Sequence, residues 1–193
     1  PAAITVRGVI NGSSANTGNL TVQNSGGTTF TGIIGGTRID ALTISQATTF
    51  QAAVSATTLS TTAAISNGTT LNVSGASSIG ANVTTSSTQT YTGAVTLTGN
   101  TTLVGSTVTT SSTVDGGGFS LAITGNSSIG GTISNATSFS VSGTTSLGAS
   151  VTTTTGGQTY TGAVTLTASP TLTSPTGTIL FSSTVNGPYA LTI

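Results

Sequence analysis

Apolar and polar residues alternate along the chain in short stretches, and small residues interrupt the alternation at close intervals. The stretch Ala94–Thr98, AVTLT, is one example, and Leu71–Ser74, LNVS, is another. A period of two is that of a β-strand, so we predict that Val95 and Leu97 point inward and that the threonine between them points outward. Glycine and Asn-Gly steps divide these stretches, and the β-branched threonine and valine residues disfavour helix. The pattern therefore predicts an all-β chain of many short strands.

Two segments of ten residues are identical, since QTYTGAVTLT occupies both Gln89–Thr98 and Gln158–Thr167. A chain that repeats itself over roughly 70 residues is an array, which buries its core by stacking neighbouring units. We expect a single array that is a segment of a longer chain. Its expected divisions are the whole array 1–193, the long units at about 89–157 and 158–193, and more divergent coils over 1–88.

A shorter unit lies within the long repeat. Three segments share one pattern of apolar and glycine positions: LNVSGASSIGANV at Leu71–Val83, LAITGNSSIGGTI at Leu121–Ile133 and FSVSGTTSLGASV at Phe139–Val151. Apolar triplets such as LTV at Leu20–Val22, LTI at Leu42–Ile44 and LNV at Leu71–Val73 recur mostly at roughly 18 to 29 residues, and units of that length are typical of the coils of a β-solenoid, or parallel β-helix. At roughly 24 residues per coil we expect roughly eight coils and a rod near 40 Å long. A β-sandwich of hairpins is the alternative, and the conserved chemical type of equivalent positions within the chain favours the solenoid.

The alternation also predicts which side chains form the core. Inward apolar positions should stack into continuous ladders between coils, while outward threonine and serine residues stack on their own kind. The predicted apolar core comprises Leu97, Leu103, Val114, Leu121, Ile123, Leu166, Leu172, Val185, Leu191 and Ile193. The predicted aromatic core comprises Phe30, Phe50, Tyr91, Phe119, Phe139, Tyr160, Phe181 and Tyr189.

Charge is almost absent from the chain, at 2% of the residues, and the net charge is zero. The charged residues are Arg7, Arg38, Asp40 and Asp115. Such a chain has no basic surface for nucleic acid, so we expect no nucleic-acid partner. No apolar run approaches the roughly 18 residues of a membrane helix, so we expect no membrane-spanning segment. Disorder is disfavoured because apolar residues recur at regular short intervals and the mean hydropathy is +0.32.

Catalytic and metal-binding groups are scarce. General acid–base chemistry would have to use Asp40 and Asp115, which we place in different coils, and no histidine, cysteine, lysine or glutamate is present. The many serines lack an adjacent base. A Zn²⁺ site is excluded by the absence of cysteine and histidine together with so few carboxylates, and Ca²⁺ sites concentrate more carboxylates than this chain has. We therefore expect no enzyme activity, no metal and no cofactor.

A few polar residues stand out, and each has a structural interpretation. The DGGG sequence at Asp115–Gly118 is interpreted as a turn rather than a phosphate loop, since no lysine follows it. Asparagines in N-x-S/T sequences, such as Asn100 and Asn126, are interpreted as turn and ladder residues. Arg38 and Asp40 lie on one face of a predicted strand. Two interpretations of this pair stay open, a weak surface ion pair and an interface contact.

The repeat resembles a known family of bacterial proteins. QTYTGAVTLT, followed by TTL, STVDG and FSLAI, is similar to the long repeats of filamentous-haemagglutinin-like adhesins, and LTVQNSGGTTFTGIIGGT at Leu20–Thr37 is similar to their linking parts. The resemblance covers most of the chain from Leu20 onward. It implies a right-handed β-solenoid that is exported and projects from the bacterial cell surface as a stalk or filament. The family has no catalytic motif in these repeats, so the resemblance supplies no site residues.

Three functional hypotheses follow from the sequence. The first is an extracellular stalk or adhesin that attaches cells to a surface receptor, to a matrix or to each other. The second is a self-assembling filament or sheath subunit, whose partner is a further copy of itself, end to end or side by side, or a neighbouring repeat of a longer chain. The third is ice binding through arrays of Thr-x-Thr. Such triplets occur at Thr96–Thr98, Thr107–Thr109, Thr165–Thr167 and Thr171–Thr173, but they do not recur once per coil.

Overall fold

The computed structural model describes residues 1–193, apart from the side chain of Asn67. Every regular element in it is a β-strand. In chain order the strands are β1 Ile4–Val6, β2 Leu20–Val22, β3 Thr28–Phe30, β4 Ile34–Ile44, β5 Thr48–Phe50, β6 Val54–Thr61, β7 Ile65–Asn67, β8 Leu71–Val73, β9 Ser77–Ile79, β10 Val83–Thr85, β11 Thr88–Tyr91, β12 Val95–Leu97, β13 Thr101–Thr110, β14 Val114–Asp115, β15 Leu121–Ile129, β16 Ile133–Ala136, β17 Phe139–Val141, β18 Thr145–Leu147, β19 Val151–Thr153, β20 Gln158–Tyr160, β21 Val164–Leu166, β22 Leu172–Thr173, β23 Ile179–Phe181 and β24 Val185–Asn186. The absence of helix among these residues agrees with the stiff, β-branched composition.

The strands form three parallel sheets that enclose one core, and the chain visits the sheets in a fixed order. Sheet 1 contains the ladder Ile4, Thr28, Thr48, Ile65, Val83, Leu103, Ile123, Val141, Tyr160 and Phe181. Sheet 2 contains the ladder Ile10, Ile34, Val54, Leu71, Gln89, Val108, Ser127, Thr145, Val164 and Val185. Sheet 3 contains the ladder Leu20, Leu42, Leu59, Ser77, Val95, Val114, Ile133, Val151 and Leu172. The prediction of a β-solenoid is therefore confirmed.

The solenoid has about nine coils, close to the roughly eight expected. Coil length along sheet 1 ranges from the 24 residues between Ile4 and Thr28 to the 17 between Thr48 and Ile65. Its mean is about 20, shorter than the expected 24, because the apolar triplets from which the spacing was taken, such as Leu42–Ile44 and Leu71–Val73, do not all lie on one sheet. Leu42 belongs to sheet 3 and Leu71 to sheet 2, so the interval between them is not a whole number of coils.

Inward side chains form a continuous apolar core, as the alternation predicts. Val95 and Leu97 are buried and Thr96 between them is exposed. The other predicted core residues that are buried are Leu103, Val114, Leu121, Ile123, Leu166 and Leu172, and Val185 and Leu191 are partly buried. Each fully buried aliphatic side chain contributes about 1.5–3 kcal/mol relative to its exposed state.

Two predicted core residues are not in the core. Ile193 is 74% exposed and Tyr189 is 48% exposed. Both belong to the last coil, where the described structure places no further coil above them, so the stacking that buries their counterparts is missing. The prediction was wrong for these two positions. The repeat pattern indicates which side chains point inward, but it does not show whether a neighbouring coil lies above them to bury them.

Buried aromatic rings stack between neighbouring coils. Phe30 and Phe50 are parallel at 5.2 Å between ring centroids. Tyr160 contacts Phe139 edge to face at 5.9 Å and Phe181 in a stacked arrangement at 5.1 Å. Such pairs stabilise the core by about 0.5–1.5 kcal/mol beyond the area they bury. The aromatic prediction is confirmed for the buried Phe30, Phe50, Tyr91, Phe139 and Tyr160, while Phe119 and Phe181 are partly buried.

Several threonine side chains that point inward near the corners donate to nearby carbonyl groups, although the buried hydroxyl of Thr110 has no partner among the described residues. The Thr48 hydroxyl donates to the Gln46 carbonyl at 2.8 Å, and the Thr153 hydroxyl donates to the Gly156 carbonyl at 2.8 Å. Thr85 and Thr101 make equivalent bonds within two residues. Because a buried hydroxyl without a partner is costly, these local bonds allow a threonine-rich chain to turn its corners.

Glycines stack at the corner between sheets 1 and 2, where four successive coils have Gly105, Gly125, Gly143 and Gly162. Gly125 has φ +122°, and a Cβ atom there would lie 1.8 Å from the Gly105 carbonyl oxygen. The Gly143 amide donates to the Gly125 carbonyl at 2.9 Å. The backbones of neighbouring coils approach too closely at this corner for any side chain.

The two identical ten-residue segments do not lie on the same face of the solenoid. From Gln89 in sheet 2, three coils lead to Thr145 in the same sheet. Two further steps, through Val151 in sheet 3, lead to Gln158 in sheet 1. The long repeat therefore spans three and two-thirds coils, and its second copy is displaced by one face.

No helix among the described residues has the length and apolar character that crossing a membrane requires.

Candidate functional surface and buried polar networks

The outer faces carry columns of small hydrogen-bonding side chains, one per coil. In sheet 2 the column is Ser55, Asn72, Thr90, Thr109, Ser128, Ser146, Thr165 and Asn186. In sheet 3 the column is Thr21, Thr43, Ser60, Ser78, Thr96, Asp115 and Ser134. The prediction that outward hydroxyl residues stack on their own kind is confirmed for most positions of these two columns, and Asn72, Asn186 and Asp115 are the exceptions. Each such cross-strand pair contributes about 0.2–1 kcal/mol.

The Thr-x-Thr triplets divide between two sheets. Thr107–Thr109 and Thr165–Thr167 lie on sheet 2, separated by three coils, whereas Thr96–Thr98 and Thr171–Thr173 lie on sheet 3. Thr88 and Thr90 lie directly next to Thr107 and Thr109 in the adjoining coil, so one pair of coils does carry matched threonines. The following coil continues with Asn126 and Ser128.

Arg38 and Asp40 are brought to the corner between sheets 2 and 3 on the long strand β4. The Arg38 Nε atom donates to the Ser55 hydroxyl of the next coil at 3.2 Å. Asp40 is exposed, and its carbonyl oxygen accepts a bond from the Thr58 hydroxyl at 3.4 Å. The guanidinium group therefore connects two coils, and the interface role of the pair stays a prediction.

The turn predicted at Asp115–Gly118 is confirmed. One carboxylate oxygen of Asp115 accepts from the Gly117 amide at 3.0 Å and from the Asn135 side-chain amide of the next coil at 3.1 Å. These bonds, that from Gly117 first, lower the pKa of the Asp115 carboxyl below its ordinary value. Positive φ values at Gly117 and Gly118 close the turn, which glycine adopts without strain.

We expect the pKa of Asp115 to rise part of the way to its ordinary value in Asn135→Ala, because one donor to the charged carboxylate is lost while Gly117 remains. A carboxyl whose pKa is lowered by folding stabilises the fold above its unfolded pKa, and this stabilisation is lost as the pH falls. NMR titration of the Asp115 side-chain carbon measures the shift. Asn100→Ala removes an asparagine that bonds to Ser120 rather than to Asp115, and should leave the Asp115 titration unchanged.

Asparagines at the turns bond to the backbone of the next coil, as interpreted from the sequence. The Asn126 side-chain oxygen accepts from the Thr144 amide at 2.9 Å, and the Asn100 oxygen accepts from the Ser120 amide at 3.0 Å. Asn82 accepts from the Thr102 amide at 2.8 Å. These bonds satisfy amides where the strand ladders end, so the asparagines connect coils.

Two buried networks, which we call the Gln–Tyr networks, lie within the identical segments. In the first, the Gln89 amide nitrogen donates to the carbonyls of Val83 at 2.9 Å and Val104 at 2.7 Å, and the Tyr91 hydroxyl donates to the Gln89 oxygen at 2.9 Å. Gln89 and Tyr91 are both 0% exposed. The network therefore gives hydrogen-bond partners to both the amide nitrogen and the oxygen of a glutamine that lies in the apolar core.

The second Gln–Tyr network repeats this geometry. The Gln158 amide nitrogen donates to the carbonyls of Val151 and Thr173, both at 2.9 Å, and the Tyr160 hydroxyl donates to the Gln158 oxygen at 3.0 Å. The sequence pattern predicts both tyrosines in the core but indicates no role for the glutamines. The available signal was a large polar residue at an inward position, two residues before the tyrosine, preserved in both copies.

Burial raises the pKa values of the Tyr91 and Tyr160 phenols well above the ordinary value for tyrosine. A group with a raised pKa stabilises the fold fully below its unfolded pKa of about 10, and the stabilisation is lost as the pH rises further. We therefore expect alkaline unfolding in which tyrosinate absorbance appears together with loss of the β-sheet circular dichroism signal. Tyr91→Phe/Tyr160→Phe should lose most of this pH dependence. Ionisation of the two buried phenols in a chain that keeps its full circular dichroism signal would contradict the expectation.

The described residues include no group of three or more histidine, cysteine, aspartate or glutamate side chains that could hold a metal ion. Asp40 and Asp115 lie four coils apart along sheet 3 and its corner, or about 19 Å at the usual strand spacing. The two carboxylates are therefore too far apart to act on one bond.

No protein-family model, no curated protein and no solved structure matches the chain. The fold and its surfaces are therefore the basis for a functional proposal.

Proposed function

We propose that this chain is a non-catalytic segment of an extracellular stalk or adhesin, which holds bacterial cells to a surface, to a matrix or to each other. The observation that carries the proposal is the uninterrupted parallel β-solenoid, whose ladders of core and outward hydroxyl side chains continue through about nine coils. Each coil interacts mainly with its neighbours, so length can be added without a change of fold. The resemblance to filamentous-haemagglutinin-like repeats supports the same role and an exported, cell-surface location.

The outer surface also fits this role. It is nearly free of charge, and its hydroxyl and amide groups remain hydrated without an ionic partner. A stalk needs length, stiffness and solubility rather than a reactive site, and the solenoid supplies length at about 4.8 Å per coil. The described surface therefore favours a structural element over a site for one small molecule.

The test uses two deletions in cells that produce the full protein. Removing Leu121–Ser138 joins Ser120 to Phe139, which pairs with Leu121 and so takes its place in the register. This variant loses one whole coil, and we expect it to reach the cell surface and to support attachment. Removing only Leu121–Ile129, the nine residues of β15, leaves the following strands out of phase with their sheets. We expect that variant to lose both properties.

Two readouts decide the proposal. Antibody labelling of intact cells reports surface exposure, and counting attached cells under flow reports adhesion. Labelling only after permeabilisation would contradict the proposed location. Equal attachment by the nine-residue deletion and by the unaltered protein would contradict the proposed role.

A second candidate function, self-assembly into an extracellular filament, is favoured by the apolar side chains of the outermost coils. Ile4 and Leu180 are 48% and 49% exposed, and the first coil has an apolar groove that Val6, Leu20 and Phe30 help to line. A further solenoid coil, from a second copy or from neighbouring residues of a longer chain, would cover these groups.

Light scattering of the purified chain tests the candidate, since assembly requires a mass that rises with concentration. The variant Leu180→Ser should reduce that rise, and a constant monomer mass would exclude self-assembly.

A further inference from the structure

We propose that residues 11–19 form a strap, which ties one coil of the solenoid to the next coil but one and so holds the first of them closed. Coil 1 is residues 4–27, coil 2 is residues 28–47 and coil 3 is residues 48–64, each counted from its position in the sheet 1 ladder. The inference goes beyond the proposed function and does not rest on it, because it concerns how the coils of this chain open and close.

One hydrogen bond of the strap reaches across a whole coil. The Thr57 hydroxyl of coil 3 donates to the Asn16 side-chain oxygen of coil 1 at 2.9 Å, over 41 residues. The other described side-chain hydrogen bonds span no more than the 26 residues between Asn11 and Thr37, which is about one coil. Since a solenoid coil ordinarily contacts only its two neighbours, this bond couples two coils that would otherwise be independent.

The lengths of the connections explain how the strap reaches coil 3. Between the ladder residues of sheets 2 and 3 there are nine residues in coil 1, seven in coil 2 and four in coil 3. The short connection of coil 3 cannot match the longer one of coil 2, and the register between β4 and β6 shifts there. The strap lies over the extra residues of coil 2 and meets coil 3 beyond them.

Backbone hydrogen bonds hold the strap against coil 2. The Gly12 amide donates to the Thr37 carbonyl at 3.1 Å, and the Asn16 amide donates to the Arg38 carbonyl at 2.9 Å. Thr37 and Arg38 belong to the segment that the register shift leaves out of the ladder with coil 3. The strap therefore supplies partners for carbonyl groups that lie outside this ladder.

The strap keeps its shape through hydrogen bonds of its own. The Thr17 hydroxyl donates to the Ser14 carbonyl at 2.7 Å and accepts from the Ser14 amide at 3.0 Å. Asn16 has φ +62°, a left-handed conformation that asparagine adopts more readily than most residues. Because the loop is already ordered, the exposed bond to Thr57 costs little conformational entropy.

Coil 1 has few other interactions that hold it in place. Strands β1 and β2 have three residues each, and sheet 2 contributes the single pair of Ile10 with Ile34. Of the apolar side chains in coil 1, only Val22 is buried. A segment with so small a core opens readily, so a single additional bond changes how often coil 1 opens.

Two adjacent threonines of coil 3 provide the test. The Thr57 hydroxyl bonds to the strap and also lies 3.4 Å from the Ile39 carbonyl of coil 2. The Thr58 hydroxyl instead bonds to the Asp40 carbonyl of coil 2, likewise at 3.4 Å. Thr57→Val and Thr58→Val therefore both lose a long bond to coil 2, but Thr57→Val also loses the bond to the strap.

The measurement is hydrogen exchange of the Ile10 amide, which donates to the Ile33 carbonyl and so reports whether coil 1 is closed on coil 2. We expect Thr57→Val to accelerate this exchange about two- to tenfold, the ratio that one net hydrogen bond gives, and Thr58→Val to leave it unchanged. Thr57→Ser keeps the hydroxyl and should exchange like the unaltered chain. The Gly143 amide, several coils away, is the reference and should exchange equally in all of them. Equal acceleration at Ile10 in Thr57→Val and Thr58→Val would overturn the inference.

Asn16→Gly keeps the inference testable where Thr57→Val disturbs coil 3 itself. Glycine adopts φ +62° without strain, so this variant preserves the backbone conformation and removes the acceptor. We expect it to accelerate Ile10 exchange as much as Thr57→Val does. The double variant should add nothing further, since both changes remove the same bond. Unchanged exchange in Asn16→Gly, or an acceleration in the double variant equal to the product of the two single effects, would contradict the strap.

Discussion

Replacing Gly125 with alanine is expected to destabilise the solenoid by about 2–5 kcal/mol. The new Cβ atom would lie 1.8 Å from the Gly105 carbonyl oxygen of the coil below, in a backbone conformation with φ +122°. The Gly125 backbone must move away from the coil below, which distorts its two bonds with the coil above, that from the Gly143 amide to the Gly125 carbonyl and that from the Gly125 amide to the Ser142 hydroxyl. Thermal unfolding followed by circular dichroism should show a midpoint lower by roughly 5–15 °C.

Gly118 provides the matched control. Its φ is +83°, but a Cβ atom at this position would have no heavy atom within 4 Å. Gly118→Ala should therefore cost only the backbone conformation, about 1 kcal/mol. Equal losses in the two variants would mean that the close approach of the coils at Gly125 contributes nothing to the effect.

Replacing Phe139 with alanine is expected to cost about 3–5 kcal/mol, because it leaves a cavity in the core. The ring is 1% exposed and contacts Tyr160 edge to face at 5.9 Å. Since coils interact mainly with their neighbours, the loss should be local as well as large. Hydrogen exchange should show the earliest loss of protection in β15, β17 and β20, with the first coils protected for longer.

Tyr189 is the control for Phe139, because the sequence predicts both as core aromatics and the structure exposes 48% of Tyr189. Tyr189→Ala should change the unfolding free energy by no more than about 0.5 kcal/mol. A cost for Tyr189→Ala close to that for Phe139→Ala would show that a further coil, or another copy, covers Tyr189 in solution.

The strands and most of the core could be predicted because a period of two is a local signal. Val95 and Leu97 need only their immediate neighbours to show which way they point. Coil length needs more, because it depends on how many residues each turn contains, and that number varies from corner to corner. The segments Leu121–Ile133 and Phe139–Val151 do stack in register, whereas the similar segment Leu71–Val83 begins on another sheet. Similar segments therefore indicate that the chain is built of coils, but they do not show on which sheet each coil begins.

The buried polar networks were beyond sequence reasoning for a different reason. Glutamine is usually exposed, so Gln89 and Gln158 suggest surface residues until their acceptors are known. Those acceptors are backbone carbonyls of Val104 and Thr173, which any residue could supply. The sequence shows that these glutamines are repeated, but only the fold shows which carbonyl groups accept their hydrogen bonds. The right-handed winding implied by the family resemblance stays a prediction.

The displacement of the long repeat by one face determines how the rod meets its surroundings. The first copy presents Thr90 on sheet 2 and Thr96 on sheet 3, and the second presents Thr159 on sheet 1 and Thr165 on sheet 2. Equivalent groups of the two copies are therefore related by a translation along the long axis together with a rotation by one face. Because each copy spans two faces, a flat substrate cannot touch either copy in full, whereas partners on different sides of the rod meet equivalent threonines. If the rod is the stalk that we propose, contact through these threonines would depend less on how the rod is turned about its axis.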